Sequence, residues 1–219
     1  MKYDLVIVVA SQDHELIRMT QAAIDSCLAD GADVNVIVVE TFEHHRYRGA
    51  NIHLKYEGDF NYNRALNLGI KHATGDIVIL ANNDIKFIKG WSSIGQTMID
   101  NGYLSASALS TDPRQNGFRR GDYAYEGYSI GVHLCGWCIF CQRKVFEKIG
   151  QLDESVVFWY SDNLYAKQLK RAGIKHALIC NVEVLHYTSQ TLSKKRRSEQ
   201  NYLTYAQGKR ILKVNPKNL

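Results

Sequence analysis

Three polar residues, Asn82-Asn83-Asp84, follow directly on the apolar run Ile77-Val78-Ile79-Leu80-Ala81. Carboxylate and amide oxygens are the ligands that hard divalent cations take. An uninterrupted apolar run of this kind is the pattern of a strand covered on both faces. The triplet then falls at the carboxyl end of that strand, where open α/β sheets bind their ligands. The same three residues also have the composition of an ordinary turn. A second set of potential ligands is Cys135, Cys138 and Cys141. Zinc favours such thiolates, but these three are embedded in an apolar run that fits a buried strand better, and zinc is not expected. Five cysteines, an odd number without framework spacing, point to reduced thiols and a cytoplasmic protein.

The elements that must carry the triplet are legible around it. Tyr62, Ala65, Leu66, Gly69, Ile70 and Ala73 recur at helical spacing and make one apolar stripe. Asp59 or Asn61 can cap that helix, and Thr74-Gly75-Asp76 stops it. Upstream, residues 4–10 and 34–40 read as buried strands. Between them, a helix with its stripe on Leu16, Ile17, Ala23, Ile24, Cys27 and Leu28 ends at Gly31. Strand, helix, strand at this spacing is a right-handed βαβ unit. Residues 52–56 read as a short strand, and the polar stretch 41–51, with His44, His45, Arg46 and Arg48, as a solvated loop. Downstream the pattern predicts a helix over 91–101 and a small-residue strand over 103–110. An irregular stretch over 111–128 carries Arg114, Arg119, Arg120 and four aromatic residues. A strand over 130–143 and a short helix over 144–150 come next. A helix over 163–172 is capped at its start by Asp162 and closed by Gly173. Strands over 174–180 and 182–185 come last. A basic run, Lys194-Lys195-Arg196-Arg197, leads into a further helix over 199–213.

Taken in register, FNYNRALNLGIKHATGDIVILANNDI resembles the middle of a family-2 glycosyltransferase with the GT-A fold. In that family Asn-x-Asp is a common form of the motif that holds a divalent metal against a sugar-nucleotide diphosphate. The resemblance therefore implies that Asp84 is a ligand of Mn2+ or Mg2+, with Asn82, Asn83, Asn61 and Arg64 about the donor. It implies that the end of the first strand, Ala10 and Ser11, contacts the base. It also implies that Glu40, where the family usually has Asp, contacts uracil or ribose. The stretch IGVHLCGWCIFCQRKVFEKIG resembles the family's strand behind the sugar pocket. By that likeness Gly136 lets the backbone approach the sugar, and Trp137 either packs on the sugar or fills the core. QLDE followed by FWYSDN resembles the family's acidic signature, which implies that Asp162 is the catalytic base. Ser161 and Leu164 stand where relatives carry acids. His186, in VLHYTSQT, matches a histidine that completes the metal site in the family.

The 219 residues suffice for one domain with a sizeable core. The expected architecture is a single GT-A-like α/β domain, with a mainly parallel central sheet and helices on both faces. Residues 1–84 form its nucleotide-sugar half, 85–192 its acceptor half and 193–219 a basic tail. No stretch approaches the ~20 apolar residues that span a bilayer, and Met1-Lys2-Tyr3-Asp4 leads straight into a strand with no signal peptide. A net charge of +5 permits an anionic partner without demanding one. The function expected is inverting transfer from a nucleotide sugar, with UDP the expected nucleotide, to a glycan or lipid-linked glycan. Two alternatives stand beside it. One is transfer to a hydroxylated base in DNA, for which the basic tail and the arginines of 111–128 would suit a polyanion. The other is a non-catalytic sugar-nucleotide-binding module, which the missing acids beside Asp162 keep open.

Overall fold

The computed structural model describes residues 1–42, 45–187 and 210. The chain runs β1 (Lys2–Val9), α1 (His14–Leu28), β2 (Asp33–Glu40), β3 (Ile52–Lys55), α2 (Tyr62–Ile70), β4 (Ile77–Ala81), β5 (Ile85–Phe87), α3 (Ser93–Asp100) and β6 (Ser105–Leu109). A 3-10 turn at Pro113–Gln115 precedes β7 (Ala124–Glu126), β8 (Cys138–Gln142), α4 (Lys144–Ile149), α5 (Ser161–Arg171) and β9 (His176–His186).

Among the described residues the strands form one sheet in the order β3-β2-β1-β4-β8-β6-β9-β5, with β7 added to β9. From β3 to β4 every pairing is parallel. β8 then enters antiparallel to both β4 and β6. β6 and β9 are parallel, whereas β5 and β7 run against β9. Strand order reverses at β1, which has β2 on one side and β4 on the other. That reversal is a topological switch point, the place where an open α/β sheet leaves a crevice at its carboxyl edge. Register aligns the strand ends there, with Val9 beside Glu40 and Ile7 beside Ala81.

Helices cover both faces because the strands alternate two apolar sets. Leu5, Ile7 and Val9 of β1 face one cluster, with Ala23, Ile24 and Cys27 of α1 and Ile94 and Met98 of α3. Val6 and Val8 face the other, with Leu66 of α2, Val145 of α4 and Leu169 of α5. Cys138 and Cys141 of β8 fall in opposite clusters, so an odd spacing on a strand sends the two thiols to opposite faces. All five cysteines are free and buried.

Besides the added strands β5 and β7, three elements differ from the sequence reading. The strand expected over 130–143 is ordered as β8 only from Cys138. Before it, the N–H groups of Val132, His133 and Leu134 all turn in on the Ser129 carbonyl, so the segment coils instead of laddering. The two strands expected around Asn181 are one, because Asn181 is exposed and β9 runs on through it. Helix α5 begins at Ser161, and Asp162 lies inside its first turn rather than capping it. The cap position is Tyr160, at φ 70°, which makes no side-chain cap bond. The expected caps Asn61 and Gly173 hold: Asn61 Oδ1 accepts from Arg64 N at 3.0 Å, and Gly173 adopts φ +64°. His44, the Lys194–Arg197 run and, Arg210 apart, the helix over 199–213 lie outside the described residues. Among the described residues no helix is long and apolar enough to cross a membrane.

Candidate active site

The carboxyl edge of β1 and β2 is closed by Glu40. Its carboxylate is buried and accepts from Ser11 N and Phe42 N, both at 3.0 Å, and from the Ser11 hydroxyl. Ser11 Oγ also meets Tyr47 Oη at 2.6 Å. Glu40 thus clamps the turns after two neighbouring strands. Its longer side chain is consumed in reaching Ser11, and Ala10 and Ser11 form the edge that remains beside the crevice.

The triplet after β4 divides three ways. Asn82 Oδ1 accepts from Tyr62 Oη at 2.6 Å, and Asn82 N donates to the Trp137 carbonyl at 2.9 Å. Asn83 turns inward, its Nδ2 donating to Thr20 Oγ1 of α1 at 3.1 Å. Asp84 is nearly buried and meets His186: Oδ1 and Nε2 are 3.4 Å apart. His186 Nε2 is buried, with no hydrogen-bond partner among the described residues. Two atoms held ~2.1–2.4 Å from one ion at right angles are themselves ~3.0–3.4 Å apart. The pair therefore fits two adjacent positions around a divalent cation. The approach is built by the end of β9: His186 lies opposite Ile85 of β5, and Tyr187 N donates to Asp84 O at 2.8 Å. Trp137 fixes the imidazole plane by stacking on it, centroids 4.7 Å apart and planes 5° from parallel. Trp137 thus packs within the protein, on His186. No group of three or more His, Cys, Asp or Glu side chains among the described residues could hold a metal alone. Asp84 and His186 would supply only two positions, which suits an ion completed by substrate phosphates and water.

Asp162 lines a cleft together with Tyr62. Its carboxylate lies against Gly136, where an added Cβ would come 2.8 Å from Oδ2 and 2.9 Å from the Asp162 Cβ. The missing side chain of Gly136 is thus filled by the acid. Asp162 Oδ1 accepts from Asn163 N at 2.9 Å. Burial raises its pKa and outweighs the backbone hydrogen bonds and Arg114, which lower it. A carboxylate raised in this way is a better proton acceptor. A small cleft beside it is lined by Tyr62, Asn63, Leu66, Gly136, Asp162 and Tyr165. The Tyr62 phenol joins the two acids: burial pushes its pKa up first, and the Asp84 and Asp162 charges add to that rise.

Asn61 and Arg64 are engaged elsewhere. Asn61 Nδ2 donates to the Glu154 and Val156 carbonyls at 2.9 and 3.0 Å. Arg64 Nε lies 2.8 Å from Glu154 Oε2. With Asn63 and Asn67, which bond the Asp153 and Leu152 carbonyls, they tie α2 to the segment leading into α5. The sequence reading counted Tyr62 only as part of an apolar stripe and left Tyr47 in a solvated loop. A tyrosine carries one apolar and one polar end, and its spacing speaks only for the first. The irregular stretch contributes Arg114, bound through Nε and Nη2 to Asp112 at 2.9 and 2.7 Å and seated over Gly131.

No protein-family model matches the sequence, and no curated protein matches it by sequence. Similarity appears at the level of structure. The chain resembles a crystal structure of GalNAc-T7 with UDP, GalNAc and Mn2+ (TM-score 0.67, 11% identity, covering 84% of this chain and 43% of that one). It also resembles S. aureus TarS 1-349 (0.63, 10%, 85% and 60%) and a second S. aureus TarS structure (0.58, 15%, 86% and 36%). The chain therefore spans 36–60% of the length of these proteins. At such identities the likeness concerns the fold, and the fold of this chain is the GT-A-like fold of glycosyltransferases.

Proposed function

We propose that the chain is an inverting, divalent-metal-dependent glycosyltransferase. It would move a sugar from a UDP-linked donor to a hydroxyl of a glycan or lipid-linked glycan. The observation that carries this reading is the Asp84–His186 pair just past the carboxyl end of β4, 3.4 Å apart, with Asp162 seated against Gly136. The presence of UDP, GalNAc and Mn2+ in the GalNAc-T7 structure supports the donor class and the metal.

A Mn2+ or Mg2+ ion held by Asp84 and His186 would act as a Lewis acid on the diphosphate leaving group. Asp162, raised by burial, takes the proton of the acceptor hydroxyl as its oxygen attacks the anomeric carbon. The bond from that carbon to the diphosphate oxygen breaks, and the nucleoside diphosphate departs. One base opposite one leaving group means in-line displacement and inversion. Gly136 admits the Asp162 carboxylate, and Trp137 holds His186 in plane. Glu40 secures the Ser11 turn on which the base of the nucleotide would rest.

A glycan acceptor is favoured over DNA. Two of the arginines that would line a polyanion rim are neutralised, Arg114 by Asp112 and Arg120 by Glu183. The test is a thermal-shift screen of UDP, GDP, CDP and their sugars with and without Mn2+. A ligand that binds only the folded state raises the midpoint by mass action. Metal-dependent stabilisation by a uridine nucleotide, lost in Asp84→Asn, is expected. Release of free UDP from a UDP-sugar would separate an enzyme from a binding module. No stabilisation by any nucleotide would overturn the reading.

A further inference from the structure

Asn82 is the member of the triplet that a side chain of α2 orients and that stays only partly buried. Its amide has a carbonyl edge, which accepts, and an NH2 edge, which donates. Tyr62 Oη occupies the carbonyl edge at 2.6 Å. Among the described residues no acceptor meets the NH2 edge, and the side chain is only partly buried at the carboxyl end of β4. The backbone is pinned as well, since Asn82 N donates to the Trp137 carbonyl.

Tyr62 is held from two directions. It is the first residue of α2, and its N–H donates to the Val157 carbonyl at 2.8 Å. Its ring meets the Phe158 ring edge-on at 5.6 Å. The hydroxyl that orients Asn82 is thus fixed by the same segment that leads into Asp162.

We propose that Tyr62 is a positioning residue for donor recognition. It turns Asn82 so that the amide NH2 reads an oxygen acceptor of the sugar nucleotide, leaving the cation to Asp84 and His186. The inference rests on the glycosyltransferase reading above. The oxygen belongs either to the diphosphate or to a sugar hydroxyl, and the amide chemistry is the same for both.

The test is calorimetric titration of UDP, UDP-glucose and UDP-N-acetylglucosamine into the protein with Mn2+, and of Mn2+ alone. The proteins are wild type, Tyr62→Phe, Asn82→Ala, the double variant and Asn82→Asp. Phe keeps the ring against Phe158 and deletes only the hydroxyl, so the fold and its melting temperature stay. Tyr62→Phe is expected to weaken nucleotide binding ~3–10-fold, the worth of one hydrogen bond, with Mn2+ affinity unchanged. In the Asn82→Ala background the same change is expected to cost nothing more, because the two residues act as one unit. Loss with UDP itself assigns the diphosphate oxygen, and loss confined to the UDP-sugars assigns a sugar hydroxyl. Asn82→Asp replaces the NH2 edge by a second acceptor and is expected to weaken the nucleotide at least 10-fold. Weaker binding of Mn2+ alone by Asn82→Ala would make Asn82 a metal ligand and overturn the proposal. Unchanged nucleotide binding by Tyr62→Phe overturns it while leaving the glycosyltransferase reading intact. A wild type that binds no nucleoside diphosphate overturns both.

Discussion

The two halves of the sheet place their functional residues by different means. From β3 to β4 the strands are parallel, and Ser11, Glu40 and Asn82 come to one edge because strand ends align. From β8 to β5 directions are mixed, and residues meet across long stretches of chain. Asp84 reaches His186 only because the end of β9 folds back along β5. Gly136 reaches Asp162 only because α5 packs over the start of β8. The parallel half is a modular cradle. The mixed half assembles the groups that would handle charge and protons, and its geometry is more easily disturbed.

That contrast predicts graded damage. The largest effect on turnover is expected at Asp162. Asp162→Asn keeps an acceptor oxygen for Asn163 N but removes the proposed base, and should lower kcat ~10²-fold or more while UDP-sugar affinity stays within a factor of two. Steady-state rates with direct donor titration decide it, and transfer at near wild-type rate would send the search for the base elsewhere. Among the nearby acids, Glu154 is bound by Arg64 and Asn67.

Gly136→Ala sharpens the same point through a neighbour. A Cβ 2.8 Å from Oδ2 must push the carboxylate aside, so kcat is expected to fall ~10-fold, the scale of a misplaced catalytic group. The effect should vanish when Gly136→Ala is added to Asp162→Asn, a non-additivity that a double-mutant cycle reads directly.

His186→Ala tests the long-range pairing. It removes one of the two side chains proposed to hold the cation and the stacking partner of Trp137. The Mn2+ concentration for half-maximal UDP binding should rise ~10-fold, the usual scale for loss of support at a metal site. An equivalent change on the parallel side, Ser11→Ala, should leave that concentration unmoved.

The remaining effect spares turnover and falls on stability alone, and it belongs to the mixed half. His176 is fully buried between Ser105 Oγ, 2.8 Å from Nδ1, and the His133 carbonyl, 3.1 Å from Nε2. Burial pushes its pKa down from 6.5 to about 3. The unfolded chain therefore binds a proton between those values that the folded chain refuses. Stability from this residue is full above pH 6.5 and lost as pH falls toward 3, at up to ~1.4 kcal/mol per unit. Denaturant midpoints from pH 7 to pH 4 should show that slope, and His176→Asn should flatten it.

Legibility in the sequence followed the same division. Asp84 was visible because five consecutive apolar residues mark a doubly covered strand and the triplet marks its end. The Asn61 cap was visible because a side-chain acceptor before a helical stripe has a local job. Asp162 was visible only by resemblance, and its expected role as a cap did not hold. The helix starts two residues earlier, after Tyr160 in the left-handed region. Nothing in the residues around 160 announces that turn, since glycine is the usual occupant of such a conformation. The fates of Asn61, Arg64 and Glu40 were equally hidden. Each has the right chemistry to meet a ligand, and each spends it on a backbone or side chain brought near by the fold.

By itself the sequence determined the periodicities: which segments are strands and helices, which faces are apolar, and that an acidic turn closes the fourth strand. These arise from backbone geometry repeating every two or 3.6 residues, which a linear pattern can encode. Tertiary structure alone decided that the Asp84 carboxylate lies 3.4 Å from the His186 imidazole, that Trp137 stacks on that ring, and that Tyr62 turns the Asn82 amide. Those contacts join residues tens to a hundred positions apart. Their closure is favourable only once both faces of the sheet are packed, because the burial that compensates the lost chain entropy belongs to the whole core and to no single segment.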